Sequence, residues 1–301
     1  MTWTRTCWID TSGLPEGMSH LALPVLTGTT DTGVLRCFAT ARDRSNRSMP
    51  VTAPVEVDGS YRLRLLEPWT LVAHVGTPGA FDESGLSLTD VRETEGGFEA
   101  LTFGWRLRAG GGWFNEVGRI HMDAEGHLLG RSMAPWLPRS EVDPISMAYA
   151  TFGGDSSILY CAPTHLESET GRPADFRILR CEESTGLRSV VLVPERLELP
   201  GVFALTRPWL VKTETAESLW FCFRGEKYRI GSVELSQLSR DEGDPVRIDE
   251  LVPLNDHREA GSNCYPSFLK VGPVTLLLFN GSGYGATGFG VAVAELGQVG
   301  E

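Results

Sequence analysis

Long apolar runs are missing from this chain. No stretch approaches the ~20 apolar residues that a membrane-spanning helix needs. The first residues, Met1 to Cys7, contain no apolar core of the signal-peptide kind. The expected setting is therefore cytoplasmic, with no membrane partner. The six cysteines (7, 37, 161, 181, 222, 264) form no CxxC pair, and HExxH is absent. Structural zinc needs clustered ligands, so neither a metal nor a cofactor is expected. Cys37, Cys161 and Cys222 sit in apolar, strand-like runs and read as reduced core thiols. Positive charge is also scarce. Lys and Arg total 27 against 39 Asp and Glu, leaving a net charge of −12 over 301 residues. A field of that sign excludes nucleic acid as a partner of the chain as a whole.

What is abundant is turn and aromatic material: Gly 34, Pro 18 and Trp 8, with 41% apolar residues overall. That balance excludes disorder and favours many short strands over long helices. The chain also repeats itself. Five segments share an extended start, a turn, a strongly apolar strand, a polar loop and a further strand. The first runs from Leu23-Pro24 through a turn at Asp31-Thr32-Gly33 to Val34–Ala39; the second runs from Ser87–Val91 through Gly96-Gly97 to Phe98–Phe103. The third runs from Ala148–Phe152 through Gly153-Gly154-Asp155 to Ile158–Cys161. The fourth joins Arg207–Val211 to Leu219–Phe223, and the fifth joins Tyr265–Leu269 through Gly272-Pro273 to Val274–Phe279. The starts near Pro24, Leu88, Tyr149, Pro208 and Pro266 are 64, 61, 59 and 58 residues apart.

A period near 60 suits a propeller blade of four antiparallel strands. Five blades fill the chain, so residues 1–301 read as a single all-β, five-bladed β-propeller domain. Thr2 to Ile9 are expected to add a strand to the last blade and clasp the ring shut. Glu195–Pro200 and Asp241–Asp256 read as loops between blades.

In such a ring, the start of each inner strand and the end of each returning strand share one mouth. The returning ends are Arg42-Asp43, Gly104-Trp105-Arg106, Thr164-His165, Arg224-Gly225 and Asn280-Gly281; the starts bring His20, Asp82 and Glu83, Asp143, Arg207 and Tyr265. Convergent ionisable groups in a concavity mark a binding or catalytic pocket. Asp43, Asp82, Asp143 and His20 are the candidate acid/base residues, with Asp43 and Asp82 as the leading pair. Arg42, Arg207 and Arg224, with Arg47 nearby, are candidates for holding an anion through guanidinium forks. Trp105 and Tyr284 offer faces for a sugar ring, and Tyr265 and Asn280 complete the candidate binding set. Each has a structural alternative: turn caps for the carboxylates, ion pairs for the arginines, packing for the aromatics. His165, in a loop with Glu167 and Glu169, reads as solvated.

Two motifs are decoys. Gly283-Tyr284-Gly285-Ala286-Thr287-Gly288 fits GxGxxG, but only 13 residues follow it and they begin as a strand. A dinucleotide site needs a helix there and an acid about 20 residues on. Asn46-Arg47-Ser48 and Asn280-Gly281-Ser282 match glycosylation acceptors, which mean little without secretion.

Ala41-Arg42-Asp43, Gly79-Ala80-Phe81-Asp82, Arg207-Pro208 with Tyr228-Arg229-Ile230-Gly231, and Tyr265-Pro266 with Phe279-Asn280-Gly281 and Gly288-Phe289-Gly290 carry a resemblance. With them, the chain resembles five-bladed propellers of the arabinanase, invertase and levansucrase kind, which include family 43 glycoside hydrolases. The pattern is most similar to divergent members associated with bacterial saccharide biosynthesis. The resemblance implies a carbohydrate-active, glycosidase-like enzyme acting on a small sugar or sugar-like molecule, and the arginine cluster on an acidic chain points to an anionic one. It also marks departures. The family's base Asp precedes the Pro that opens blade one, where this chain has Leu23. The family's acid Glu opens blade three, where it has Met147-Ala148, with Glu141 and Asp143 upstream. Hydrolysis ordinarily needs both carboxyl groups. A lyase, cyclase or isomerase within a biosynthetic pathway, or a non-catalytic saccharide-binding module, stands as the alternative.

Overall fold

The computed structural model describes residues 3–28, 34–107, 112–154, 156–165, 170–171, 174–213, 216–238, 245–248, 257–259 and 262–295. Five antiparallel sheets follow one another along the chain. Blade one holds β2 (Ser19–Thr27), β3 (Val34–Arg42), β4 (Ser48–Val57) and β5 (Leu63–Leu65), with β6 (Thr70–Leu71) also on β4. Blade two holds β7 (Gly85–Thr94), β8 (Gly97–Leu107), β9 (Trp113–Met122) and β10 (Leu128–Arg131). Blade three holds β11 (Ala148–Gly153), β12 (Ser157–Pro163), β13 (Phe176–Glu182) and β14 (Arg188–Leu192). Blade four holds β15 (Ala204–Lys212), β16 (Glu217–Arg224) and β17 (Tyr228–Glu234). Blade five holds β18 (Cys264–Val271), β19 (Val274–Asn280) and β20 (Phe289–Glu295), and β1 (Thr4–Ile9) pairs with β20 as its outer strand. The chain is thus a five-bladed propeller with an N-terminal clasp.

Blade four has three strands among the described residues rather than four. Its outer side carries a single parallel bridge between Leu197 and Val246. The Glu195–Pro200 loop contains one 3-10 turn, Pro194–Arg196, that positions this bridge. Most of Asp241–Asp256, the turn at Asp31-Thr32-Gly33, Asp155, Glu167 and Glu169 lie outside the described residues. No described helix is long and apolar enough to cross a membrane.

Alternation of apolar residues along each strand gives every blade two greasy faces, and each face packs on a neighbour. Five apolar clusters fill the five interfaces: blades one with five, one with two, two with three, three with four, and four with five. Cys37, Cys161 and Cys222 are fully buried in strands, and all six thiols are free.

The inner strands share a device that positions the site. In β2, β11, β15 and β18 the ladder register shifts across the same repeat position. There Leu23, Tyr149, Arg207 and Tyr265 adopt φ of 54°, 55°, 52° and 57°, in the left-handed region. Non-glycine residues adopt it at a cost, and such bulges re-aim a side chain. Leu23, Tyr149 and Tyr265 all line the cavity at the mouth of the ring. Pro follows three of the four, and lacking an N–H it leaves no ladder donor stranded. Blade two has the shift at Thr89 without the positive φ.

A candidate saccharide site at the propeller mouth

β3, β8, β16 and β19 end, and the inner strands begin, on one face of the ring. A cavity of about 210 Å³ opens there. Its wall is a chain of rings. Trp113 stands edge-on to Trp105 at 5.2 Å, Trp105 stacks with Phe103 at 6.5 Å, and Phe103 meets Tyr149 at 5.1 Å. Tyr149 stacks on Tyr265 at 5.4 Å, and Tyr265 meets Tyr284 at 6.2 Å. Tyr228, from blade four, touches both of the last two. Trp113 and Tyr284, 46% and 40% exposed, form the outer lips.

Polar groups are interleaved with these rings. Trp105 and Asn115 line the cavity, and their Nε1 and Oδ1 atoms are buried without a partner. They come from directly opposed residues of β8 and β9. One unpaired donor and one unpaired acceptor in an aromatic pocket are hooks for a hydroxylated guest. Thr40, Ser48 and Ser87 add hydroxyls, and Arg42 adds a cation at the rim. Its Nη1 donates to Asn46 Oδ1 at 3.0 Å. Tyr149 and Tyr265 share a hydroxyl contact at 3.3 Å, and Tyr228 and Tyr284 one at 3.4 Å. Burial pushes the Tyr149, Tyr228 and Tyr265 hydroxyls well above the ordinary phenol range. They are neutral hydrogen-bonding groups at physiological pH, not bases.

Of the residues expected at the mouth, Arg42, Trp105, Tyr265 and Tyr284 line this cavity. Arg224 lies next door, in a groove it shares with Lys227, Tyr228 and Tyr284, and stacks over the Phe203 and Tyr228 rings at 5.3 and 5.2 Å. Arg207 is fully buried beside Tyr149 and Tyr265 and does not reach the lining. Asn280 is buried too. Its Oδ1 accepts from Leu23 N at 2.8 Å and its Nδ2 donates to the Leu21 and Gly288 carbonyls at 2.7 and 3.1 Å. It ties blade five to blade one, directly beneath the bulge.

The candidate acid/base residues do not converge. Asp43 is held in its own turn by Arg47, with Oδ2 2.8 Å from Arg47 Nε and Oδ1 2.8 Å from Arg47 N. Burial raises its pKa, but those hydrogen bonds and that charge outweigh it and hold the carboxyl below its usual value. Asp82 is buried against Arg131 at 3.0 Å, and burial raises its carboxyl despite that guanidinium. Its Oδ1 is without a partner. Asp143 is fully buried against Arg188 at 2.5 Å and also takes Ser140 N. His20, at φ 63°, has Nδ1 2.9 Å from Ser19 Oγ, and burial followed by Arg42 lowers its pKa. None of the four lines the cavity. Leu23, at the family's base position, does line it.

Sequence reading overlooked Trp113, Asn115, Phe103 and Tyr149 as site residues. For Tyr149 a signal existed: it holds the same repeat position as Tyr265. The others needed the β8–β9 register. His165 is ordered by Asp175, Nδ1 to Oδ1 at 2.9 Å. The GxGxxG glycines serve packing. A Cβ at Gly285 would strike the Leu21 carbonyl, and one at Gly288 the Ile9 carbonyl, both at positive φ. Among the described residues the one metal-compatible cluster is Asp123, Glu125 and His127. It sits in the exposed β9–β10 turn, where Asp123 already accepts from both neighbours' N–H groups.

No protein-family model matches the chain. In sequence it is similar to a Mycobacterium tuberculosis (strain ATCC 25618 / H37Rv) protein described as "Uncharacterized protein Rv1502". The two are 28% identical over 312 residues, covering 98% of this chain and 100% of that one. In structure it is similar to an endo-arabinase from Bacteroides thetaiotaomicron VPI-5482, with TM-score 0.59, 11% identity and 99% of each chain covered. The GH43_1 enzyme from Xanthomonas citri complexed with xylotriose gives TM-score 0.59 and 14% identity, with 97% of this chain and 91% of that one covered. An alpha-L-arabinofuranosidase from Lactobacillus brevis gives 0.60 and 11%, with 94% and 91% covered. The fold is that of the arabinanase and family 43 glycoside hydrolase propellers. At these identities the likeness establishes architecture, and function has to be argued from the site.

Proposed function

We propose that this chain is a carbohydrate-active, glycosidase-like enzyme that holds one ring of a small, anionic saccharide in the mouth cavity. The observation that carries the reading is the aromatic wall whose Trp105 and Asn115 keep an unpaired donor, Nε1, and an unpaired acceptor, Oδ1. Sugar rings offer apolar C–H faces to aromatic rings and hydroxyls to exactly such a donor and acceptor pair. Arg42 at the rim and Arg224 beside it supply positive charge on an otherwise acidic chain, which favours an anionic ligand. The site would work within residues 1–301 as one unit. Six free cysteines fit a reducing, cytoplasmic setting.

The chemistry we assign is non-hydrolytic, in keeping with a biosynthetic role. Leu23 replaces a carboxylate on the cavity wall, and the wall carries no carboxylate among the described residues. Asp82 is the acid/base candidate that keeps a raised carboxyl and an unpaired oxygen. That same lack of wall carboxylates favours a second reading, a binding module that keeps the cavity and turns nothing over. One experiment separates them: titrate the protein with neutral sugars, uronic acids and sugar phosphates by tryptophan fluorescence, then analyse each bound sugar for chemical change. Binding with conversion supports the enzyme; binding without it supports the module. No binding across the panel rejects the saccharide site.

A further inference from the structure

Four bulges carry a residue in the left-handed region, and three of those residues, Leu23, Tyr149 and Tyr265, line the cavity. The fourth, Arg207, has no solvent exposure at all. Its Nε donates to the Pro266 carbonyl at 3.3 Å, and its ring-facing side lies 5.2 Å from the Trp209 centroid. Nη1 and Nη2 are buried and have no hydrogen-bond partner. The hydroxyl of the preceding residue, Thr206, is buried as well and interacts with the Cys222 thiol. A guanidinium fork removed from water and left unpaired is costly, and it is the shape that binds two oxygens at once.

The groups that interact with its charge are Asp90, Tyr149, Cys161 and Tyr265. Asp90 is the one acid among them, and no ion pair within 4.0 Å joins it to Arg207. It is held instead by the N–H groups of Phe152 and Val91, both at 2.8 Å. Burial pushes the Asp90 carboxyl up to about 6 and brings Arg207 down to about 10. Arg207 is therefore charged at neutral pH. Tyr149 and Tyr265 line the cavity and adjoin Arg207. The Arg207 Nε contact to the Pro266 carbonyl places the guanidinium one residue along the chain from Tyr265.

We infer that Arg207 reads the carboxylate of an acidic saccharide, so that the ligand class is a uronic acid or a similar monocarboxylate sugar rather than a sugar phosphate. This rests on the saccharide reading of the cavity. A carboxylate presents two oxygens to Nη1 and Nη2 and carries one negative charge, matching the single guanidinium. A phosphate dianion would bring a second charge toward Asp90, and the other guanidinium that acts on Asp90, Arg92, is already paired with Glu99. Entry requires the Tyr149 and Tyr265 hydroxyls, which now touch each other, to turn to the guest.

The test compares D-glucuronate with D-glucose as probes on the wild-type protein and on Arg207→Met and Arg207→Lys. Wild type should bind glucuronate at least about tenfold more tightly than glucose, the scale of a charged hydrogen bond. Arg207→Met should lose that preference and keep its affinity for glucose. Equal binding of the two sugars by wild type, or a preference retained in Arg207→Met, overturns the assignment. If neither sugar binds, the saccharide reading itself fails. Crystals of wild type soaked in formate then decide on Arg207: formate on Nη1 and Nη2 keeps the carboxylate site, and water alone removes it. Should Arg207→Met fail to fold, a glucuronate-bound crystal structure of wild type replaces it. A carboxylate within hydrogen-bond distance of Nη1 and Nη2 supports the proposal, and one facing only Arg42 overturns it.

Discussion

The mouth cavity and the belt of carboxylates around it use the same residue types that a glycosidase would, with opposite outcomes. In the cavity, polar atoms are left unpaired: Trp105 Nε1, Asn115 Oδ1 and, one layer down, Arg207 Nη1 and Nη2. In the belt, each carboxylate has its own arginine: Asp43 with Arg47, Asp82 with Arg131, Asp143 with Arg188. Paired groups hold the blades and turns in place. Unpaired ones are where a ligand can gain what the fold leaves unsatisfied. Substitutions should therefore split, with changes at Asp43 and Asp143 lowering stability and cavity changes lowering binding, while Asp82, paired with Arg131 through Oδ2 but with Oδ1 unpaired, stands between the two groups.

The largest effect belongs to Arg188→Ala. It would strand the fully buried Asp143 carboxylate without its guanidinium. Breaking a buried pair from one side costs about 3–5 kcal/mol. Denaturant melts should show that loss while any folded fraction keeps its ligand affinity. A melt indistinguishable from wild type would move Asp143 out of the structural belt.

Next in size is Leu23→Asp, which restores a carboxylate to the family's base position on the cavity wall. Losing a buried leucine side chain there should cost about 2 kcal/mol of stability. We expect no gain of glycoside hydrolysis, because a single carboxylate has no acid partner across the cavity. Measurable hydrolysis of an aryl glycoside by this variant would show that the cavity lacked one group only, and that the belt supplies the other.

The fold was legible in the sequence because a repeat constrains many residues at once. Five spaced starts, four turns and a loop, and five apolar strands each limit the others, and the clasp expected of Thr2 to Ile9 appears as the strand Thr4–Ile9. The site was less legible for a physical reason. Leu23-Pro24 and Arg207-Pro208 have the same backbone, φ 54° and 52°, yet one puts a leucine on the cavity wall and the other a buried guanidinium behind it. The repeat fixes where a side chain is aimed and says nothing of what it must be. The pairing of Asp82 with Arg131 was equally hidden, since 49 residues separate them and only the path of β10 brings them together. Asn280 was read as a ligand group because it lies at a strand end. Its three hydrogen bonds across blades one and five could not be seen without the ring closed.

A smaller effect should come from Trp113→Ala. This ring is nearly half exposed and packs edge-on to Trp105, so the fold loses little without it. A saccharide loses one aromatic face, worth about 1 kcal/mol. Calorimetric titration should show roughly five- to tenfold weaker binding, with the melting temperature within a degree or two of wild type. A large loss of stability with unchanged affinity would reverse the roles assigned to cavity and belt.

The smallest effect tests the belt where it is most exposed. Asp43 accepts from Ser45 N, Arg47 N and Arg47 Nε, and together these hold its carboxyl below the usual value despite the opposing effect of burial. A folded-state pKa below the unfolded one adds stability that is present above about pH 4 and is lost as the pH falls through the folded value. An ion pair at the surface is screened by solvent, so the whole contribution should be about 0.5 kcal/mol. Asp43→Asn should then reduce stability by that amount at pH 7, and the difference from wild type should vanish near pH 2. Turnover or ligand affinity, whichever the protein displays, should not change. A loss of about a hundredfold in turnover at unchanged stability would mean that Asp43 leaves its turn to meet the substrate, and the division between an unpaired cavity and a paired belt would fail at this residue.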